Sequence, residues 1–224
     1  MKWYSALLFS VVFAFGLDGC IDVETVPKET NLQVFDLQND NTLENTHKIE
    51  GFEFVTTYDI GNYDLSHWRV TDSKVINITA QVRNIPEGSI VLIEDVYIKI
   101  SLKSIDPQLN DLLQDSMYDS YHGTSQDGFF VSSNYPYQKK FTIDGLSNEL
   151  MEGWRFIWDS YGSDSMMKEL LTERNLVKYG NIYANKIQAV YNVLIKYADE
   201  DFYHVVSVLD EFLIPVEYKA EITE

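Results

Sequence analysis

Lys74-Val75-Ile76-Asn77-Ile78-Thr79-Ala80-Gln81-Val82 and the run from Ser89 to Lys103, joined by Ile85-Pro86-Glu87-Gly88, decide the fold class. In the first run Ile76, Ile78, Ala80 and Val82 share one face, and Asn77, Thr79 and Gln81 share the other. Successive side chains of a strand point to opposite faces, so this period of two marks a half-buried strand. The second run repeats it, with Ile90, Leu92, Val96, Ile98, Ile100 and Leu102 opposite Lys99, Ser101 and Lys103. The proline and glycine between them suit a turn, and the two runs read as an antiparallel pair.

Working outward, Phe52, Phe54 and Thr56 start another alternating stretch at Gly51. Asp106-Pro107 offers a cap and a first-turn proline, and Leu109, Leu112 and Leu113 give an apolar stripe, so a helix is expected near 106–115. Ser116 to Gly128 reads as a loop, and Phe129–Ser133 and Tyr137–Ile143 as strands around Asn134-Tyr135-Pro136. Residues 147–158 fit a helix or a strand. Asp164 to Tyr179 has Met167, Leu170, Leu171 and Val177 at helical spacing with Gly180 placed to cap it. Tyr183 to Tyr197 alternates again, Asp199-Glu200-Asp201 turns the chain, and Phe202 to Val216 is apolar on both faces, as in a central strand. The order strands, helices, strands predicts an α+β, mainly β fold: an antiparallel sandwich-like sheet with helical insertions near 106–115 and 147–179. Residues 51–224 form its single globular domain.

Residues 20–50 are polar, carry Pro27 and Gln38-Asn39-Asp40-Asn41, and read as a flexible tether, with Leu32 and Val34 hinting at a short strand. Before them, Met1-Lys2 precedes an uncharged run, Trp3 to Phe15, too short for a bilayer span of roughly 20 residues. By composition the segment fits a plain secretory signal, an uncleaved anchor, or a signal cut before Cys20, the only cysteine. Charge, apolar run and Leu17-Asp18-Gly19-Cys20 together resemble the signal and lipobox of bacterial lipoproteins. That resemblance implies removal of 1–19 and acylation of Cys20, with Leu17 at −3, Asp18 at −2 and Gly19 at −1. It further implies a domain anchored by lipid in a cell membrane and facing the extracytoplasmic side.

The 224 residues carry a formal charge of −18, which Lys2 and Asp18 leave unchanged when they depart together. Such a field repels phosphate backbones, so nucleic acid is excluded as a partner. With Cys20 alone, no disulfide framework and no thiolate metal site is available.

Chemistry is sparse. There is no phosphate loop, no nucleophile elbow and no paired-histidine spacing among His47, His67, His122 and His204. His204 reads as a packed, hydrogen-bonded histidine. Asp115, Asp119, His122 and Asp127 share one loop, where hard-cation binding competes with a solvated acidic loop. Glu149, Glu152, Asp159 and Asp164 include pairs that a glycosidase-type mechanism could use, a weak signal in a chain of 35 acids. Aromatics cluster more tellingly: Tyr118, Tyr121, Phe129, Phe130, Tyr135 and Tyr137, with His122 among them and Trp154, Trp158 and Tyr161 beyond. Loop aromatics suit recognition surfaces, and core packing is their ordinary use. The expectation is a non-catalytic binding or accessory module of the cell envelope with a protein or glycan partner, no cofactor and no metal. The alternatives are a lipid-anchored hydrolase of envelope polymers and a solute-binding lipoprotein.

Overall fold

The computed structural model describes residues 24–25, 33–34, 41–107, 109–121, 128–146, 176 and 182–216. Among these the chain is mainly antiparallel β, with strands β1 (Glu24–Thr25), β2 (Gln33–Val34), β3 (Thr42–Ile49), β4 (Phe52–Asp59), β5 (Lys74–Arg83), β6 (Ile90–Ser104), β7 (Leu113–Ser120), β8 (Phe129–Phe130), β9 (Tyr137–Ile143), β10 (Ile182–Lys196) and β11 (His204–Pro215). The smaller, 4-stranded sheet runs β3-β4-β5-β9. The larger, 7-stranded sheet runs β1-β11-β10-β6-β7, with β2 also on β11 and β8 also on β6.

The alternation around Lys74 and Ser89 is that of strands, yet the two strands do not pair. β5 lies between β4 and β9 in the small sheet, and β6 lies against β10, β7 and β8 in the large one. The link from Asn84 to Ser89 is a crossover between sheets. Asn84 takes a positive φ of 59° and Gly88 one of 82°, and the turn closes with Ser89 N–H donating to Pro86 O at 3.1 Å. A Cβ on Gly88 would lie 2.9 Å from the Ala198 Cβ, so this link is pressed against the β10–β11 turn. The Glu50–Gly51 turn of the β3–β4 hairpin meets them there, since Tyr197 OH donates to Glu50 O at 2.7 Å. Three connections therefore crowd one end of the molecule.

Other expectations change too. The helix near 106–115 is a single turn: Asn110 N–H bonds Asp106 O at 2.9 Å, Asp111 then takes a φ of 63°, and Leu113 begins β7. That left-handed residue breaks the helical path after one turn, and Leu109 plugs into the core. Ser116 to Ser120, expected as loop, is the rest of β7. The tether gives way in part: β1 and β2 pair parallel with β11, and residues 42–49 are a full strand. Leu43, Asn45, His47 and Ile49 alternate there, and Asn45 and His47 are buried. β11 has partners on both sides but alternates between buried and half-buried positions instead of being covered on both faces. The helix expected within 147–179 lies outside the described residues, apart from helical, buried Leu176.

One core holds both sheets: Phe54, Ile76 and Ile78 from the small sheet, and Ile98, Ile100, Tyr191 and Phe212 from the large one, are all 1% exposed or less. Burying each such side chain contributes about 1.5–3 kcal/mol.

Candidate functional site

Between the sheets, one inward position of β11 breaks the apolar series Val206, Val208, Phe212, Ile214. It is Asp210, at 0% exposure. Its carboxylate accepts hydrogen bonds from His47 Nε2 at 2.7 Å, Thr56 Oγ1 at 2.5 Å and Tyr58 OH at 2.7 Å. Tyr58 spends its only proton there, so Tyr191 OH donates to the Tyr58 oxygen at 2.9 Å. The Tyr58 ring packs on Phe212 at 4.7 Å between centroids, and Phe54 meets Tyr191 edge-on at 5.5 Å. Burial pushes the Asp210 carboxyl up, but the hydrogen bond and charge of His47, then the Thr56 and Tyr58 hydroxyls, outweigh it and hold the group below the usual carboxylate range. Burial, followed by the neighbouring Tyr191 and Asp210, pushes the Tyr58 hydroxyl well up. An ion enclosed this way, with three donors on it, ties β3 and β4 to β11 and is closed to a substrate. Its signals in the sequence are an acid among the inward apolar positions of β11 and a histidine two residues from Asn45, neither of which marks a site by itself.

A second buried network ties the region after β4 to the large sheet. Trp68 Nε1–H donates to Asn185 Oδ1 at 2.9 Å, and Asn185 Nδ2 donates to Gln114 Oε1 at 2.9 Å. Gln114 Nε2 in turn donates to the carbonyls of Val70 at 3.1 Å and Asp144 at 3.0 Å. Lys74 Nζ stands 4.7 Å from the centre of the Trp68 ring and donates to Asp72 O at 2.7 Å.

The aromatic candidates divide. Phe129 meets Tyr121 and Tyr137 edge-on, each at 5.3 Å. Tyr137 is 5% exposed and donates to Asp119 Oδ2 at 2.8 Å; burial and that bond push its hydroxyl up. These three rings pack. Tyr118, Phe130 and Tyr135 are exposed, at 64%, 47% and 70%. His122, Asp127 and Cys20 lie outside the described residues, as do Glu149, Glu152, Asp159 and Asp164 and the aromatics Trp154, Trp158 and Tyr161.

Asp115 and Asp119 of the expected loop sit on β7 and are engaged across the sheets. Asp115 Oδ2 accepts from Asp144 N–H at 2.8 Å, and Asp119 Oδ1 from Lys139 Nζ at 3.0 Å. His204 is hydrogen-bonded, its Nε2 lying 2.6 Å from Glu200 Oε2.

The exposed face of the large sheet has an order the sequence conceals. Register aligns Tyr118, Tyr97, Val190 and Leu209 in one row across β7, β6, β10 and β11. On one side lies a polar row, where Ser207 Oγ donates to Asn192 Oδ1 at 2.7 Å and Asn192 Nδ2 to Asp95 Oδ1 at 2.8 Å. On the other side lie Ser116, Lys99, Gln188 and Glu211, with Gln188 Nε2 donating to Glu211. A bulge aids the arrangement: Glu94 is an extra residue of β6 between the pairs Ile93–Val193 and Asp95–Asn192. It keeps Ile93 and Val96 both inward and sends Asp95 and Tyr97 out.

No protein-family model matches this chain, and no curated protein matches it. A solved structure described as a protein from Archaeoglobus fulgidus is similar over 80% of this chain and 97% of its own, at 13% identity and a TM-score of 0.33.

Proposed function

We propose that this chain is an exported lipoprotein, fixed to a membrane through acylated Cys20, whose two sheets form a β-sandwich serving as a non-catalytic binding or accessory module of the cell envelope. The observation behind the binding role is the row Tyr118–Tyr97–Val190–Leu209, bordered on both sides by hydrogen-bonded polar rows. Exposed tyrosines in a row flanked by polar residues give contact area at little cost in side-chain entropy, which suits a recognition surface for a protein or glycan. The anchor reading draws on Leu17-Asp18-Gly19-Cys20 and the apolar run before it.

Expression of the full chain with its own N-terminus in a bacterium tests both parts. Mass spectrometry is expected to find residues 1–19 removed and diacylglycerol on the Cys20 sulfur. A photo-reactive side chain at position 118 is expected to give an envelope adduct that a Tyr97→Ser change abolishes. An intact chain with a free thiol removes the anchor. Cleavage of an envelope glycan, with no adduct at 118, replaces the binding role by the hydrolase alternative.

A further inference from the structure

Resting on acylation of Cys20, we infer that the end of the domain carrying the β10–β11 turn lies in the phospholipid headgroup layer, with Phe202 and Tyr203 as its contacts. The reason is chain length. β1 pairs parallel with β11 at Glu24–Val206 and Thr25–Ser207, so β11 meets the N-terminal segment near its own start. From Cys20 to Glu24 the chain spans at most about 14 Å when fully extended. The lipid-bearing sulfur is thus confined near Val206. β11 runs from His204 to Pro215, so its far end lies about 30 Å beyond Val206, out of reach of so short a leash. β2 pairs farther along β11, at Phe212–Leu213, away from the anchor.

The groups at the near end suit a wet interface. Phe202 is 59% exposed and Tyr203 38% exposed on the turn before β11, and Ile90, at 37%, opens β6 beside them. The far end has exposed apolar groups as well, Ile105 at 76% among them; the leash decides between the two. Asp199, Glu200 and Asp201 adjoin the near aromatics, and Glu50 and Glu87 lie on the two connections packed against this turn. Carboxylates hold the turn at headgroup depth, since acids in the hydrocarbon are costly, and they favour zwitterionic over anionic lipid. The domain lies on the surface with its partner row alongside the membrane and is not lifted away from it.

The test uses acylated full chain in phosphatidylcholine vesicles. Acylation occupies the native thiol, so Phe202→Cys or Ile105→Cys supplies the one site for a fluorophore, read against a headgroup-attached nitroxide. Expected are strong quenching at 202, none at 105, and loss of quenching at 202 when a long Gly-Ser linker is inserted between Cys20 and Glu24. Equal signals at the two positions, or the reverse order, on protein whose Cys20 is shown by mass to be acylated overturn the orientation and leave the anchor standing. A Cys20 without lipid overturns both.

Discussion

The two faces of the large sheet use the same residue types to opposite ends. Inward, β11 presents Val206, Val208, Asp210, Phe212 and Ile214; outward, Val205, Ser207, Leu209, Glu211 and Leu213. Each set is mostly apolar with one acid, the outward one also holding Ser207. Inside, Tyr58 and Tyr191 give their hydroxyls to a chain of hydrogen bonds ending on Asp210. Outside, Tyr97 and Tyr118 face each other across β6 and β7 with their rings exposed. The difference shows that composition assigns neither role; position in the period of two, read with the partner strand, does.

The sharpest way to break the comparison is Asp210→Ala. It strands the donors of His47, Thr56 and Tyr58 in the core, and removing one member of a buried charged network costs about 3–5 kcal/mol. The denaturant midpoint followed by circular dichroism should fall accordingly, with unchanged slope if unfolding stays two-state. A loss below about 1 kcal/mol would mean that water replaces the carboxylate and that the inner network is not what joins β11 to β3 and β4.

Acid is the next lever. The folded-state pKa of Asp210 lies below its unfolded value, with His47 the chief favourable cause against burial. Its contribution is therefore fully present above about pH 3.9, the unfolded value, and is lost as pH falls through the lower folded value. Stability measured against urea from neutral pH downward should decline in that acid window, and Asp210→Asn should decline less steeply there. Equal slopes in the two proteins would remove the carboxylate from the linkage.

Alternation made the strands legible because burial on one face is a local property of the chain. Ile76 to Val82 and Ile187 to Ile195 lie where their period puts them. Pairing is not local. A Pro-Glu-Gly link permits either a hairpin or a crossover, and the choice lies in the partners the two strands find elsewhere, β4 and β9 for β5 and β10 and β7 for β6. The helix expected at 106–115 failed for a related reason. Asp106 and Pro107 do open a turn, but Lys103 and Lys186 reach Asp111 at 3.2 and 3.7 Å, and the left-handed Asp111 hands the chain to β7. The partner row was half visible. Tyr118 stood out in its aromatic cluster, whereas Tyr97, Val190 and Leu209 belong to three distant strands and meet only through register. Asp210 was readable in principle but was masked by the apolar residues on the opposite face of the same strand.

The smallest effect sharpens the comparison most. Tyr97→Ser and Tyr118→Ser together remove an exposed cross-strand aromatic pair, whose stabilising effect is about 0.2–1 kcal/mol. Their combined loss in a denaturation experiment should stay within that range, several-fold below that of Asp210→Ala, while Tyr97→Ser alone abolishes the envelope adduct formed by a photo-reactive side chain at position 118. The two readouts separate because an exposed ring leaves its sheet intact when it is cut back, yet takes with it the surface a partner would cover. If the double change instead costs as much as opening the Asp210 network, the outer row is packing for the fold, and the difference between the faces is one of degree.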